Sequence, residues 1–235
     1  MVDPMNTLTT MLPGTAITYN GEEIGMADGT IRWDQTVDPF GRKGGMARYE
    51  VNSRDPCRTP FHWNDLQNAG FSTSQRTWLP VNSNHWHLNL AFQKACLRSH
   101  YQTYKTLLRL RSSPTIAQGN LTMHTPSDWI LILTRQLENH ETFYIVLNVG
   151  SEQETIILSE HLKDVPFYMI VRSSSINAWH AEKDYIETTR PLAMRPKSSL
   201  VLSNGVYNGG DVGVRSPTLA FYIFVVFANI MQYAL

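Results

Sequence analysis

The stretch Ser53-Arg54-Asp55-Pro56-Cys57-Arg58-Thr59-Pro60-Phe61-His62-Trp63 decides most of what this sequence predicts. It carries three charged side chains, two prolines and two large aromatic side chains within eleven residues. A second block precedes it, in which the break Pro13-Gly14 is followed by the adjacent carboxylates Glu22 and Glu23. Packing alone seldom requires two such blocks in this order, so they indicate a function as well as a fold.

Length, charge and the metal-binding residue types exclude several classes of protein. The 235 residues suffice for one large or two modest domains with a buried core. The 20 basic and 20 acidic side chains balance, which argues against nucleic acid as a partner. Cys57 and Cys96 match no metal spacing, and His85, His87 and His100 lack a third ligand nearby. The sequence therefore predicts no metal site.

The first part of the chain has the order of elements typical of a (β/α) barrel. Apolar residues at helical spacing over residues 5–12 predict a short helix that Pro13-Gly14 ends. Residues 16–19 then predict a buried strand, and residues 20–23 a polar loop where a barrel places its functional groups. A long polar loop over residues 27–84 follows, which we expect to be ordered because functional loops of this length carry aromatic anchors.

Two further expectations concern the aromatic anchors and a later helix. Trp33, Trp63 and Trp78 should be buried within the long loop. Apolar residues from Leu97 to Leu108 recur at helical spacing opposite a basic face, which predicts an amphipathic helix that ends before Pro114. We interpret that basic face as solvated surface.

After Pro114 the pattern changes to short β-branched and aromatic runs separated by turns. The predicted strands are Leu121 to His124, Trp129 to Thr134, Phe143 to Asn148, Thr155 to Leu158, Phe167 to Val171 and Ser199 to Leu202. The predicted fold class is therefore α/β plus all-β: the C-terminal end of a (β/α)8 TIM barrel over residues 1–113, then an antiparallel β-sandwich over residues 114–202. Residues 203–235 form a spacer and an apolar tail.

The adjacent carboxylates do not form the pair that a two-carboxyl hydrolysis needs. Such a mechanism holds its two carboxyl groups roughly 5 Å apart on either side of one bond. Glu22 and Glu23 are adjacent, so they should point in different directions, and at least one should be structural. Arg54 and Asp55 are equally consistent with a salt-bridged loop anchor and with a site. Residues 139–141, Asn-His-Glu, are interpreted as a hairpin turn.

Two sequence signals concern modification and the membrane. Asn120-Leu121-Thr122 is an N-glycosylation sequon beside a turn. The tail has the layout of a signal for a lipid (GPI) anchor: small residues at Asn208, a polar spacer and an apolar end over residues 219–235. Ser203 is a second possible attachment point for the lipid. The apolar stretch could instead be a membrane-spanning helix or a buried segment, but a spanning helix would be expected to carry flanking basic residues.

The two opening blocks resemble the last part of the catalytic barrel of the α-amylase-type glycoside hydrolases, specifically the insect-type α-glucosidases (maltases). Further similar stretches are Ala69-Gly70-Phe71-Ser72-Thr73, Thr77 to Asn82, Ser99-His100-Tyr101 and Leu192 to Pro196. The resemblance implies a retaining hydrolase that removes terminal α-1,4-linked glucose from maltose, sucrose and short oligosaccharides without an organic cofactor. It also implies that Arg58 is a substrate-binding residue, since a guanidinium can serve a carboxylate and a sugar oxygen together.

This chain differs from the family at the catalytic residues. In the family the nucleophilic aspartate and the acid glutamate belong to earlier barrel strands, so this chain is expected to be an inactive C-terminal fragment of a longer enzyme held on the extracellular face of the plasma membrane. Two alternatives remain open: a non-enzymatic subunit like the amino-acid-transporter heavy chains, which share the architecture, and a surface receptor.

Overall fold

The computed structural model describes residues 1–205, which form one compact unit. Asn208 and the apolar tail lie outside the described residues. Within that unit no helix has the length and apolarity that crossing a bilayer requires. The boundary predicted between residues 113 and 114 stays a prediction.

The chain begins with helix α1, Val2–Met11. The helix ends where the sequence predicts, because Pro13 cannot continue a helix and Leu12 is already extended. Two arginines satisfy its last carbonyls. Arg111 donates to Thr10, Leu12 and Gly14, and the buried Arg135 donates from Nη1 to Met11 O at 2.7 Å.

The prediction of a strand at residues 16–19 is wrong. This segment has no strand hydrogen bonds to any other part of residues 1–205, and the Ile17 side chain is 82% exposed. A strand needs a neighbour to pair its N–H and C=O groups, and the apolar pattern alone does not supply one.

The long loop is ordered as predicted, but two of its tryptophans are not buried. Its short α-helices are α2 Pro39–Lys43 and α3 Tyr49–Asn52, and 3₁₀ turns span Glu22–Ile24, Trp33–Gln35, Asp55–Arg58, Gln67–Gly70 and Ser83–Trp86. Trp63 and Trp78 are 44% and 54% exposed, whereas Trp33 is half-buried against the Tyr49 ring.

Helices α4 (Leu90–Ala95), α5 (His100–Arg111) and α6 (Pro114–Gln118) close this part of the chain. The predicted amphipathic helix is α5, although it begins later than expected. Ser99 caps it by accepting a hydrogen bond from Gln102 N–H, which leaves Leu97 before the helix and exposed. Leu107 is its fully buried apolar residue.

The rest of the described chain is mainly antiparallel sheet. The strands are β1 Asn120–His124, β2 Ile130–Gln136, β3 Phe143–Asn148, β4 Glu154–Ile156, β5 Tyr168–Ser174, β6 Tyr185–Glu187, β7 Leu192–Met194 and β8 Ser198–Ser203, with α7, Leu158–His161, after β4. Six strands form one sheet in the order β1-β2-β3-β8-β5-β6, and β4 pairs with β7 separately. Leu158 therefore begins a helix instead of ending a strand, and β6 and β7 were not predicted.

Successive residues of the central strands alternate between two cores. On one face, Ile132, Val146 and Leu202 pack with the β4–β7 pair; on the other, Leu133 and Ile145 pack against α1, α5 and α6. Strands β3 and β8 are buried along their whole length because both faces are covered. The predicted β-sandwich is not confirmed: the structure has a six-stranded sheet with helices on one face and a short strand pair on the other.

Candidate functional site

A cleft of about 230 Å³ lies where the two opening blocks of the sequence meet. It is lined by Tyr19–Glu22, Met26–Asp28, Cys57 and Thr59. We call it the Tyr19 cleft. Its walls come from the loop after α1 and from the 3₁₀ turn Asp55–Arg58, so two segments that are distant in the sequence form one concave surface.

Tyr19 and Cys57 both line the cleft. Burial raises the pKa of Tyr19; the Cys57 thiol adds to this rise and the Arg58 guanidinium opposes it. Arg58 is exposed at the end of the 3₁₀ turn, between Cys57 and Thr59, which both line the cleft. The cationic group that the resemblance singles out thus lies next to a cleft.

The loop that carries Glu22 and Glu23 is held from three helices. Asn6 of α1 donates to Glu22 O at 3.1 Å, and Gln93 of α4 donates to Ile24 O at 2.7 Å. His100 of α5 packs against Gly25, where an added Cβ would come within 2.9 Å of the imidazole. His100 is itself held by Asp3, whose Oδ1 lies 2.6 Å from Nδ1. This wall of the cleft is consequently well fixed.

The adjacent carboxylates are used by their own loop. Glu22 Oε2 accepts from Tyr19 N–H at 3.1 Å, and Glu23 Oε2 accepts from Gly21 N–H at 2.8 Å. Burial raises the pKa of Glu23. Gly21 has φ of 103°, which permits this tight turn. Each carboxylate thus accepts a hydrogen bond from the backbone of its own loop, which is consistent with the expectation that at least one is structural.

The loop over residues 36–55 is anchored by buried charge. Arg54 donates from Nε and Nη2 to the buried Asp38 carboxylate at 3.0 and 2.7 Å, and its N–H donates to Asp38 at 2.7 Å. The Arg54 hydrogen bond holds the pKa of Asp38 well below its usual range. Asp55, also buried, accepts from the N–H groups of Val37 and Asp38 at 2.8 and 3.0 Å. Of the two interpretations of Arg54 and Asp55, the structure therefore favours the loop anchor.

The other residues named from sequence fall in different places. Asn120 is exposed at the start of the edge strand β1, away from the cleft. Residues 139–141 form the predicted turn, with Asn139 at φ 60° and His140 N–H bonded to Leu137 O. Across residues 1–205 no group of three or more His, Cys, Asp or Glu side chains is arranged to hold a metal. Cys57 and Cys96 are free thiols.

Sequence reasoning missed three contributors to the site. Tyr19 was assigned to a strand, Asp38 carried no motif, and Gln93 lies in a helix that was not predicted. His62, inside the quoted stretch, is fully buried; Nδ1 lies 2.8 Å from Leu88 O, and burial lowers the pKa of its imidazole. Tyr19 and His62 lie within the two motifs, so the sequence could have marked them as candidate site residues. Asp38 and Gln93 lie outside both motifs.

The chain matches a known family over about half its length. The family described as alpha amylase, catalytic domain, matches residues 1–119. The chain is 37% identical over 191 residues to Maltase A1 of Drosophila melanogaster, covering 81% of this chain and 33% of the relative. It is 39% identical over 154 residues to an alpha-glucosidase of Apis mellifera, covering 66% and 27%. The chain thus spans about a third of the length of these curated relatives.

Solved structures agree on the fold. Trehalulose synthase MutB from Pseudomonas mesoacidophila superposes with a TM-score of 0.70 at 25% identity, over 86% of this chain and 38% of that one. The family and this likeness imply a (β/α)8 barrel region in the first part of the chain. Taken together, the matched residues and these relatives mean that the chain belongs to the alpha-amylase catalytic domain family and is of the insect α-glucosidase type.

Proposed function

We propose that this chain supplies one wall of the glucose-binding pocket of a retaining α-glucosidase that acts on maltose, sucrose and short α-1,4-linked glucosides. The observation that carries the proposal is that the exposed Arg58 lies between Cys57 and Thr59, two residues that line the Tyr19 cleft. Names of relatives support the glycosidase class, and the chemistry of the cleft supports a neutral sugar as the ligand.

Arg58 suits this role because it is exposed, lies between two residues that line the cleft and is not part of the loop anchor. Arg54, four residues earlier, is fully engaged with Asp38. A guanidinium offers five N–H donors in a fixed plane, so it can bind a sugar hydroxyl while Tyr19 and Glu22 supply an acceptor and a carboxylate nearby. The two arginines of the quoted stretch thus divide into one anchor and one binding residue.

The first experiment measures sugar binding to the 235-residue chain. Saturation-transfer NMR with maltose should show transfer to the sugar protons, and Arg58→Ala should reduce the affinity about tenfold, the loss of a hydrogen bond to a charged donor. Arg76→Ala is the matched control, since Arg76 is exposed and does not line the Tyr19 cleft. Equal binding by wild type and Arg58→Ala would refute the role of Arg58.

The second experiment concerns the chemical step. Glu22 and Glu23 are held by their own loop, so we propose that the catalytic pair is supplied by the earlier strands of the family's barrel. The chain alone should therefore release no p-nitrophenol from p-nitrophenyl α-glucoside. Measurable hydrolysis would show that the carboxylates at the cleft suffice and would overturn this division of labour.

We also propose an extracellular, glycosylated and lipid-anchored setting for the protein. Asn120 is exposed, as a glycan acceptor must be. For the anchor, Ser203 is buried in β8 and paired with Phe143, so attachment there would disrupt the sheet; Asn208 is the better candidate. In insect cells, Asn120→Gln should increase gel mobility, and phosphatidylinositol-specific phospholipase C should release the protein from the surface. Neither effect is expected for an intracellular protein.

The transporter-subunit alternative is not favoured, because the relatives at 37% and 39% identity are a maltase and an α-glucosidase. The surface-receptor alternative stays a prediction.

A further inference from the structure

The dipeptide Asn20-Gly21 lies in the wall of the Tyr19 cleft, and the fold itself requires the glycine. Glu22 N–H donates to Tyr19 O at 3.1 Å, which closes a tight turn. Asn20 and Gly21 are the two central residues of this turn. Gly21 has φ of 103°, and an added Cβ would lie 2.9 Å from Cβ of Met26, so a side chain at position 21 would be strained. The Gly21 nitrogen therefore has no Cβ beside it to shield it.

The side chain of Asn20 is not held in place. It is exposed, and within residues 1–205 its amide forms no hydrogen bond. The contacts from α1 and α4 fix Glu22 and Ile24, which follow the two central residues of the turn. The Asn20 amide can therefore rotate toward the backbone nitrogen of Gly21, with which it can close a five-membered ring.

A carboxylate already contacts the nitrogen that would attack the amide. Gly21 N–H donates to Glu23 Oε2 at 2.8 Å, a distance at which a general base takes up a proton. Burial raises the pKa of Glu23, so its ionised carboxylate is a stronger base than that of a solvent-exposed glutamate. Glu22 does not share this position, because its Oε2 accepts from Tyr19 N–H. The turn thus brings together an unshielded nitrogen, a free amide and a base.

A second Asn-Gly dipeptide among residues 1–205 has a different environment. Asn204 Oδ1 accepts from Thr142 N–H at 2.8 Å, so its side-chain amide is held. Asn204 N–H donates to Thr142 O at 3.3 Å, which holds its backbone as well. The chain therefore contains its own comparison, with a free amide at Asn20 and a held amide at Asn204.

We propose that Asn20 is a modification site that deamidates spontaneously, with Glu23 as the general base. The Gly21 nitrogen attacks Cγ of Asn20 while its proton passes to Glu23 Oε2. The bond from Cγ to Nδ2 then breaks, and Nδ2 takes up that proton and leaves as ammonia. One water molecule opens the cyclic imide at either carbonyl, which leaves aspartate or isoaspartate at position 20.

The product changes the charge of the cleft wall. A neutral amide is exchanged for a carboxylate, in a cleft whose lining already includes Glu22 and Asp28. The reaction needs no sugar. It is therefore independent of the proposed function, and its test has the same meaning whether or not the cleft binds glucosides.

The experiment follows the 235-residue chain in neutral buffer and measures the modified fraction at each asparagine over time by peptide mapping with tandem mass spectrometry. Asn20 should react about tenfold faster than Asn204. Glu23→Gln keeps an acceptor for Gly21 N–H but removes the base, so it should slow the reaction at Asn20 by about tenfold, with water left as the weaker base. Glu22→Gln is the matched control and should leave the rate within about twofold, because Glu22 accepts from a different N–H group.

A second measurement compares the folded chain with the chain unfolded in urea. Because the fold supplies the base, Asn20 should react faster in the folded chain, whereas Asn204 should react more slowly there. An unchanged rate at Asn20 in Glu23→Gln, or a lower rate in the folded chain than in urea, overturns the inference. Equal rates at Asn20 and Asn204 in the folded chain overturn it as well. Should Glu23→Gln fail to fold by circular dichroism, the comparison of folded and unfolded wild type decides the question.

Discussion

Replacing Arg135 by methionine should destabilise the fold, although the residue lies far from the cleft. Its guanidinium is fully buried in β2 and donates from Nη1 to Met11 O at 2.7 Å and from Nη2 to Gly119 O at 2.8 Å. Its Nε has no partner within the described residues. Burial lowers the pKa of Arg135, and the nearby Arg111 charge adds to this effect.

The magnitude follows from these contacts. Two hydrogen bonds from a charged donor are worth about 1.5–3 kcal/mol each, or about 4.5 kcal/mol together. Removing the unpartnered Nε relieves a desolvation cost of about 2 kcal/mol, so the expected loss in the free energy of unfolding is about 2.5 kcal/mol. At about 2–4 °C per kcal/mol for a unit of this size, the thermal midpoint should fall by about 5–10 °C.

Thermal unfolding followed by far-ultraviolet circular dichroism measures the shift. Arg109→Met is the matched control, since Arg109 is an exposed arginine on α5 and its replacement should change the free energy by less than about 0.5 kcal/mol. A midpoint for Arg135→Met within about one degree of wild type would refute the reasoning. It would mean that removing the buried charge relieves as much desolvation cost as the two lost hydrogen bonds contribute, as happens for some buried charges.

Three pH-dependent predictions concern single carboxyl or imidazole groups. The pKa of Asp38 is lowered by Arg54, so its contribution is present above the unfolded pKa of about 4 and is lost as the pH falls through the folded value. The protection factors of amides in residues 36–55 should therefore stay high at pH 5 and fall only in stronger acid, whereas in Asp38→Asn they should be low at both; equally high protection in the variant would contradict this. The pKa of Glu23 is raised by burial, so its contribution to stability is lost as the pH rises through the pKa of the folded state. Glu23→Gln should therefore raise the thermal midpoint at pH 7 but not at pH 3.5. Glu22→Gln, at an exposed position, should leave the midpoint unchanged at both pH values. The pKa of His62 is lowered by burial, so its contribution is present above about pH 6.5 and is lost in acid. His62→Gln should then flatten the decline in midpoint between pH 7 and pH 5.5, and an unchanged slope would count against a buried neutral imidazole.

The sequence was informative where the physical signal is local. Phe143 to Asn148 is predicted at its observed bounds because a continuous apolar run suits a strand covered on both faces. The end of α1 follows from Pro13, which acts on the backbone directly. Ser99 carried a local signal that the prediction did not use: its capping hydroxyl places the start of α5 at His100, whereas the helix was predicted from Leu97.

The remaining features depend on contacts between distant segments. Whether residues 16–19 form a strand depends on a neighbour to pair with, which composition does not reveal. Arg54 as an anchor depends on Asp38, sixteen residues earlier, coming within hydrogen-bond distance. Trp63 and Trp78 are large and apolar, but burial requires a surface to pack against, so both remain more than a third exposed. The site prediction for Arg58 rested on resemblance, and it stays a prediction until sugar binding is measured.

The order in which the strands leave the ribosome has a consequence for biogenesis. β8 lies between β3 and β5 and is the last of the eight to be synthesised. Until Ser198–Ser203 emerges, the nascent chain holds two unjoined groups of strands, each with an open edge that can pair with another chain. Chaperone demand should thus peak late in translation, and stop codons shortly before residue 198 should yield aggregates instead of a smaller folded product.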